Sequence, residues 1–289
     1  MKKILIIGEN SYIGISFRNW ILKFNDEYEV ESISVKTSAW KEVNFSKYDV
    51  VLYLSAIVHI KEKDEALYYK VNHQLAIQVA KKAKEAGIKH FIFMSTMSVY
   101  GLNKGTIDID TDKLPTNHYG KSKLMAENDI LDLESEKFLV SIVRPPMVYG
   151  KNCRGNYDKL SKLAKKTPFF IITSSYRSMI YIDNLSLYLK VLIDSQIGGI
   201  HHPQNSNYVN VSEMFKTIRL QNKKKTFLFN VNPKILGNLL KWSTFFSKVF
   251  GTLIYTKELS LSSLNTNQNK YIKKNEVNFC KSIYKSEKE

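Results

Sequence analysis

Apolar positions along the first half of the chain fall into two alternating regimes, short unbroken runs and longer stretches with helical spacing. Lys3 to Ile7 is a run that stops at Gly8, as a strand buried on both faces would. A glycine-containing turn, Gly8-Glu9-Asn10-Ser11-Tyr12-Ile13-Gly14, leads into a predicted helix ending near Phe24. Glu29 to Val35 reads as a second strand, and Asp49 to Ala56 as a third that ends in small residues. Lys63 to Gly87 places Leu67, Val71, Leu75, Val79, Ala83 and Ala86 on one helical face, with Gly87 as the stop. His90 to Met94 is the next strand, Asn117 to Leu133 the next helix, and Phe138 to Val143 a further strand. Arg144-Pro145-Pro146 ends that strand, because proline has no N–H for the ladder. Strand and helix in strict alternation predict an α/β fold, a Rossmann-type doubly wound parallel sheet covered on both faces.

Beyond Gly150 the pattern weakens. Lys151 to Lys166 reads as a loop and a basic helix, and Tyr181 to Asp194 as a short strand and a helix opened by Asp183. The expected organisation is a dinucleotide-binding domain over residues 1–150, joined by 176–196. A smaller C-terminal substrate-binding lobe would comprise 151–175 and 197–289. Pro233 to Tyr255 is apolar and basic, with Leu236, Leu239, Leu240, Trp242, Phe245, Phe246, Val249 and Phe250. Core helices of the lobe are its first reading, and docking on a membrane surface its second.

Charge modifies this picture more than composition does. The 289 residues are 44% hydrophobic and 24% charged, ordinary for a globular chain, but the net charge is +16. Lysines cluster at 81–84, 159–166, 223–225 and 270–274. Solvated helix faces are their first reading. The remaining field suits steering of an anionic substrate such as a nucleotide diphosphate, or peripheral contact with an anionic membrane. No nucleic-acid recognition motif accompanies it, so nucleic acid is not an expected partner. Cys153 and Cys280 offer no disulfide framework, which fits a reducing cytosol, and a cytoplasmic protein is expected, at most at the inner membrane face. The six histidines suggest no metal site: His201 and His202 are adjacent and would point to opposite faces of an extended segment.

Two segments carry candidate chemistry. Ser95-Thr96-Met97-Ser98-Val99-Tyr100-Gly101 follows the His90–Met94 strand, and Tyr119-Gly120-Lys121-Ser122-Lys123 lies on the next helix. Tyr119 and Lys123 are four residues apart and share a helix face. A protonated lysine beside a phenol lowers its pKa from near 10. Thr96 could hydrogen-bond the substrate oxygen that Tyr119 protonates or deprotonates. That is hydride-transfer chemistry at a carbinol or ketone, which requires a nicotinamide cofactor.

The start of the chain offers a place for one. Gly8 would let the chain turn tightly, Gly14 would let the helix approach the sheet, and helix N–H groups would face a pyrophosphate. Ser11 stands where a G-x-x-G-x-x-G loop has its middle glycine. The second strand ends in Val35-Lys36-Thr37-Ser38 without an acid for a ribose hydroxyl, so Lys36 favours NADP(H) over NAD(H). Asn72, among apolar helical neighbours, is expected to satisfy backbone groups.

The ordered set of glycine loop, Leu54-Ser55-Ala56, Asn72, Ser95-Thr96, Val99-Tyr100-Gly101, Tyr119-x-x-x-Lys123, Arg144-Pro145-Pro146-Met147-Val148-Tyr149-Gly150 and Arg177-Ser178-Met179-Ile180-Tyr181-Ile182-Asp183-Asn184-Leu185 resembles the extended short-chain dehydrogenase/reductases acting on nucleotide sugars. The resemblance spans residues 2 to about 212. It implies Tyr119 as acid/base, Lys123 on the nicotinamide ribose, and Thr96 as the third member. It places cofactor contacts at Gly8, Ser11, Tyr12, Ile13, Gly14, Lys36, Asn44, Phe45, Leu54, Ser55, Ala56 and Lys123. Substrate contacts would be Thr96, Met97, Tyr119, Asn156 and Arg177, the last on the diphosphate. A homodimer is implied by analogy. Met97-Ser98 stand where sugar 4,6-dehydratases of the family carry Asp-Glu, which disfavours dehydration. Met147 stands where many 4-epimerases carry Asn. The texture is similar to the 4-ketoreductases of capsule and O-antigen pathways, which implies reduction of a UDP-4-keto-6-deoxy-N-acetylhexosamine. A UDP-sugar 4-epimerase with tightly bound NAD is the first alternative, and a non-catalytic dinucleotide-binding partner protein the second.

Overall fold

The computed structural model describes residues 1–58, 65–230 and 251–288. The central sheet has six strands, all parallel: β1 (Lys2–Ile7), β2 (Tyr28–Ile33), β3 (Val50–Tyr53), β4 (His90–Met94), β6 (Leu139–Val143) and β11 (Gly199–His201), in the order β11-β6-β4-β3-β1-β2. From β1 the chain moves outward to β2 and then returns past β1 to β3. Strand order therefore reverses at the carboxyl ends of β1 and β3, where ligands of such sheets bind.

The unbroken apolar strands are explained by burial on both faces. Ile4 and Ile6 pack against α1 (Tyr12–Ile21) and α6 (Ile182–Ser195), while Leu5 and Ile7 pack against α3 (Leu75–Glu85) and α4 (His118–Leu131). Each of these four residues is fully buried, and successive side chains serve opposite cores because a strand has a period of two. The predicted second helix begins in the described region at Glu65; its expected start at Lys63 lies outside the described residues. It is not uniform, since Tyr69–Gln74 forms a π-turn around the buried Asn72. π-turns of this kind appear frequently at functional sites.

A smaller lobe is built from short strands. β7 (Met147–Tyr149) pairs with β10 (Met179–Tyr181), β8 (Phe169–Ile171) with β13 (Phe227–Phe229), and β12 (Val209–Asn210), β9 (Tyr176–Arg177), β14 (Leu253–Tyr255) and β5 (Gly105–Ile107) form a four-stranded sheet. Two boundaries differ from the expected domain limits. β11, within the stretch 197–289 assigned to the lobe, is an edge strand of the central sheet. β5, within residues 1–150, belongs to a lobe sheet. Both are three-residue strands whose place is set by pairing with distant segments, so periodicity could not position them. Of the Pro233–Tyr255 stretch, residues 233–250 lie outside the described residues, and Leu253–Tyr255 is β14, with Tyr255 fully buried. The helix Phe279–Lys288 closes over α5 (Asn156–Lys166) and α7 (Val211–Gln221), its Glu287 accepting from Tyr157, Ser161 and Lys165 at 2.7–2.9 Å. Among the described residues no helix is long and apolar enough to cross a membrane, and no group of three or more His, Cys, Asp or Glu could hold a metal ion.

Candidate active site

At the sheet's switch point the backbone of three loops converges. Gly8 adopts φ +112°, and a Cβ there would lie 3.0 Å from the Ser55 nitrogen and 3.2 Å from the Leu54 carbonyl carbon. Only glycine lets the loop after β1 come this close to the loop after β3. Ser11 caps α1, its Oγ accepting from Gly14 N at 3.0 Å, and a Cβ on Gly14 would meet that Oγ at 2.6 Å. The serine in the middle-glycine place is thus a helix cap, a residue type strongly preferred there. The converged loops, the N-terminus of α1 and the glycine cradle fit the diphosphate of a dinucleotide, which the backbone from Gly8 to Gly14 could receive.

The other expected cofactor contacts are placed less uniformly. The Tyr12 side chain turns into the core: a Cβ on Gly150 would meet its hydroxyl at 2.5 Å, so Tyr12 and Ile13 can offer the loop only their backbone. Ser55 and Ala56 are half-buried beside Gly8, and Leu54 donates its N–H to Ile7 at 2.9 Å. Phe45 is a core residue next to Trp40 and Tyr48, so it too has only backbone to give. Asn44 is committed locally, its Oδ1 accepting from Ser46 N at 3.0 Å and Ser46 Oγ at 2.8 Å; the expected contact of this carbonyl with an adenine amine competes with its own cap. β2 ends at Ile33 rather than Val35, because the carbonyl of Ile33 receives Gly8 N and Glu9 N. The residue at the strand tip is therefore Ser34, which the sequence reading passed over, and Lys36 is exposed two residues further on.

The proton-handling residues come together through α4. Thr96 caps the 3₁₀ turn Met97–Tyr100, its Oγ1 accepting from Ser98 N at 3.1 Å, and that turn packs against the start of α4, where Tyr119 is half-buried. Gly120 makes that approach feasible: a Cβ there would sit 2.6 Å from the Ser98 carbonyl oxygen and 2.9 Å from Pro115 Cβ. Asn117 caps α4 by accepting from Gly120 N at 2.8 Å. Asn72, fully buried, ties α4 to the loop after β3: Oδ1 accepts from Ile57 N at 2.7 Å, while Nδ2 donates to Ile57 O at 2.9 Å and Ser122 Oγ at 3.2 Å. Its expected role of satisfying backbone groups matches these bonds.

Lys123 is 1% exposed, donates to the Met94 carbonyl at 2.8 Å and lies 4.4 Å from the Phe93 ring centroid. Burial draws its pKa down to about 7, opposed by the Glu127 carboxylate one turn along. Burial pushes Tyr119 up to about 12, opposed by the Thr96 hydroxyl. The expected lowering by Lys123 is not seen here: its ammonium is turned to Met94 and Phe93 and is not among the groups that act on the phenol.

Behind the triad lies a network that the sequence reading missed. Glu127, fully buried, accepts from Ser95 Oγ; it also accepts from the Arg144 guanidinium at 2.6–3.2 Å. Arg144 donates to Tyr100 at 2.9 Å, and Tyr100 hydrogen-bonds His202 at 2.7 Å. The available signal was an acid at four-residue spacing from Lys123 on the same buried helix face. In the lobe, Arg177 is buried at 8% exposure, with one donor 3.4 Å from the Asn103 carbonyl and Nε without a partner among the described residues. Burial pulls its pKa down to about 10. A buried guanidinium with spare donors is suited to a diphosphate. Met97 and Asn156 are half-buried, at the start of the 3₁₀ turn and of α5 respectively.

The sequence model of the NAD dependent epimerase/dehydratase family matches residues 22–171. A UDP-glucose 4-epimerase of Vibrio cholerae is 30% identical over 294 residues, covering 87% of this chain and 86% of that one. The chain belongs to the NAD dependent epimerase/dehydratase family. A second relative, the N-acetyl-alpha-D-glucosaminyl-diphospho-ditrans,octacis-undecaprenol 4-epimerase of Escherichia coli O157:H7, is 33% identical over 53% of this chain and 47% of its own. The fold is that of UDP-glucuronic acid 4-epimerase from Bacillus cereus, solved with NAD, at TM-score 0.72 and 19% identity over 99% of this chain and 97% of that one. It also matches a dTDP-4-dehydrorhamnose reductase from Bacillus anthracis, solved with NADP, at TM-score 0.64 and 22% identity over 82% and 86% of the two chains. The chain is an enzyme of a family acting on nucleotide sugars with a nicotinamide dinucleotide.

Proposed function

We propose that this family member reduces the C4 ketone of a UDP-4-keto-6-deoxy-N-acetylhexosamine to UDP-N-acetylfucosamine or UDP-N-acetylquinovosamine. The observation that carries this reading is the packing of the Thr96 turn against the start of α4, which sets the half-buried Tyr119 beside Thr96, with burial pushing the phenol up to about 12. Such a phenol keeps its proton at neutral pH until negative charge develops on the sugar oxygen, which is what ketone reduction requires of its acid. Thr96 would then stabilise the phenolate, and Lys123 would hold the nicotinamide ribose. When bound, the reduced nicotinamide supplies the hydride to C4. Gly8 to Gly14, Lys36 and Leu54 to Ala56 would hold the dinucleotide, with Lys36 on a 2′-phosphate. Arg177 would take the substrate diphosphate, with Met97 and Asn156 beside the sugar. Met97 and Ser98 offer no carboxylic acid to expel a C6 hydroxyl, so dehydration is not part of the reading.

A second reading is a UDP-sugar 4-epimerase, favoured by the Vibrio cholerae relative that aligns along most of both chains. It uses the same residues, with Tyr119 acting first as base. The test follows oxidation of NADPH, then NADH, by the protein with freshly prepared UDP-4-keto-6-deoxy-N-acetylhexosamine. Oxidation with formation of the 4-hydroxy sugar supports the reductase. Stoichiometric NAD that survives gel filtration, together with interconversion of UDP-hexoses without added reductant, replaces it with the epimerase.

A further inference from the structure

The two-stranded sheet of β8 and β13 shows an apolar face to solvent. Its parallel register sets Phe169 opposite Phe227 and Ile171 opposite Phe229. Phe170 turns inward and stacks on Phe215 of α7 at 4.2 Å, so its neighbours on the strand turn out. Phe169, Phe227 and Phe229 are 57%, 55% and 44% exposed, and their rings touch, with Phe169 5.7 Å from Phe227 and 6.4 Å from Phe229. Leu220, at the end of α7, is 67% exposed and shares a groove with Lys216, Lys223, Lys224 and Lys225.

The stretches of chain that carry these rings are rich in lysine and contain no acid. The sequence has no acid between Asp158 and Asp183, or between Glu213 and Glu258, and these two stretches contain both strands. Within them stand Lys162, Lys165, Lys166 and Lys216 as well as the Lys223–Lys225 run. Lys162 pairs with Asp158 and Lys165 with Glu287, whereas Lys166 and Lys223–Lys225 have no ion pair among the described residues.

We propose that this face docks the protein on an anionic membrane surface, with Phe169, Phe227 and Phe229 in the interfacial layer and the flanking lysines on lipid phosphates. The inference goes beyond the proposed reaction and does not depend on it. Contiguous exposed aromatic surface is unfavourable in water and marks an interaction site. Phenylalanine rings bury at the boundary between head groups and acyl chains, and each lysine near an anionic leaflet contributes about 1 kcal/mol. Lysine stems can lie along the apolar face while their ammonium groups reach outward. The three rings pack on each other instead of standing apart as separate platforms for bases, which favours a lipid layer over single-stranded nucleic acid.

The test is co-sedimentation of the full chain with phosphatidylcholine vesicles, with and without phosphatidylglycerol. Binding is expected only to the anionic vesicles, and it should weaken severalfold from about 50 to about 500 mM salt. The Phe169→Ser/Phe227→Ser double variant should bind at least about tenfold more weakly, a loss of about 1.4 kcal/mol, with unchanged thermal midpoint and cofactor binding. Absence of wild-type binding to anionic vesicles would overturn the proposal, as would undiminished binding of the double variant. Binding of single-stranded oligonucleotide without vesicle binding, or a dimer lost in the double variant without vesicle binding, would likewise overturn it.

Discussion

Glu127 holds Arg144 in a fully buried ion pair, 2.6 Å between Oε2 and the guanidinium, one helical turn beyond Lys123. The same carboxylate accepts from Ser95, the residue before Thr96, and Arg144 reaches Tyr100 at the end of the turn that Thr96 caps. Both halves of the proton-handling site therefore lean on one buried charge pair.

Glu127→Gln leaves Arg144 as an unpaired buried cation near Lys123. Breaking one partner of a buried pair costs about 3–5 kcal/mol. The carboxylate also works to raise the Lys123 pKa, so its loss should move that pKa below about 7. Urea denaturation and the alkaline limb of the pH–rate profile check the two effects. In a Glu127→Gln/Arg144→Met double variant, part of the stability should return.

Tyr119→Phe should keep cofactor binding and lose turnover by about 10²–10⁴, the usual worth of a positioned acid. The fluorescence of bound NADPH and the steady-state rate measure the two separately.

Gly120→Ala pushes a methyl against the Ser98 carbonyl, a backbone atom that cannot rotate away. The expected result is a stability loss of about 1–3 kcal/mol. A fall in kcat is also expected, because α4 must back away from Thr96. A variant with wild-type turnover would show that the contact between α4 and the Thr96 turn is dispensable.

Acid should unfold the protein through its buried histidines. Burial lowers His90 and His202 to about 3 and His201 to about 4, and each ring is bonded to a hydroxyl: Ser141 at 2.6 Å, Tyr100 at 2.7 Å and Tyr188 at 3.3 Å respectively. The unfolded chain binds protons at these positions below about pH 6.5, where the folded chain does not. Their contribution is complete above that pH and is lost as pH falls toward 4 and 3. Thermal midpoints between pH 7 and 4 should drop steadily, and His90→Gln should flatten the slope.

Lys36 is exposed, so Lys36→Ala should leave stability within about 0.5 kcal/mol of wild type. If it meets a 2′-phosphate, NADPH affinity should fall about tenfold, or about 1.4 kcal/mol, with NADH unchanged. Titration of both nucleotides checks it. Equal losses for the two would assign the strand tip to Ser34 instead.

The sequence by itself determined five of the six central strands, the switch-point loops and the Tyr119–Lys123 pair, because these depend on local periodicity. An apolar run of four residues, Ile4 to Ile7, before Gly8 has to be a buried strand, and a four-residue spacing on a helix has to share a face. What tertiary structure decided is the environment of those residues. Lys123 turns to the Met94 carbonyl, Tyr12 and Phe45 turn into cores, and Glu127 meets Arg144 across seventeen residues of sequence. Three-residue strands such as β5 and β11 likewise take their sheet from distant partners. Burial and long-range pairing set the direction of each pKa shift, and neither is encoded in the spacing of residues along the chain.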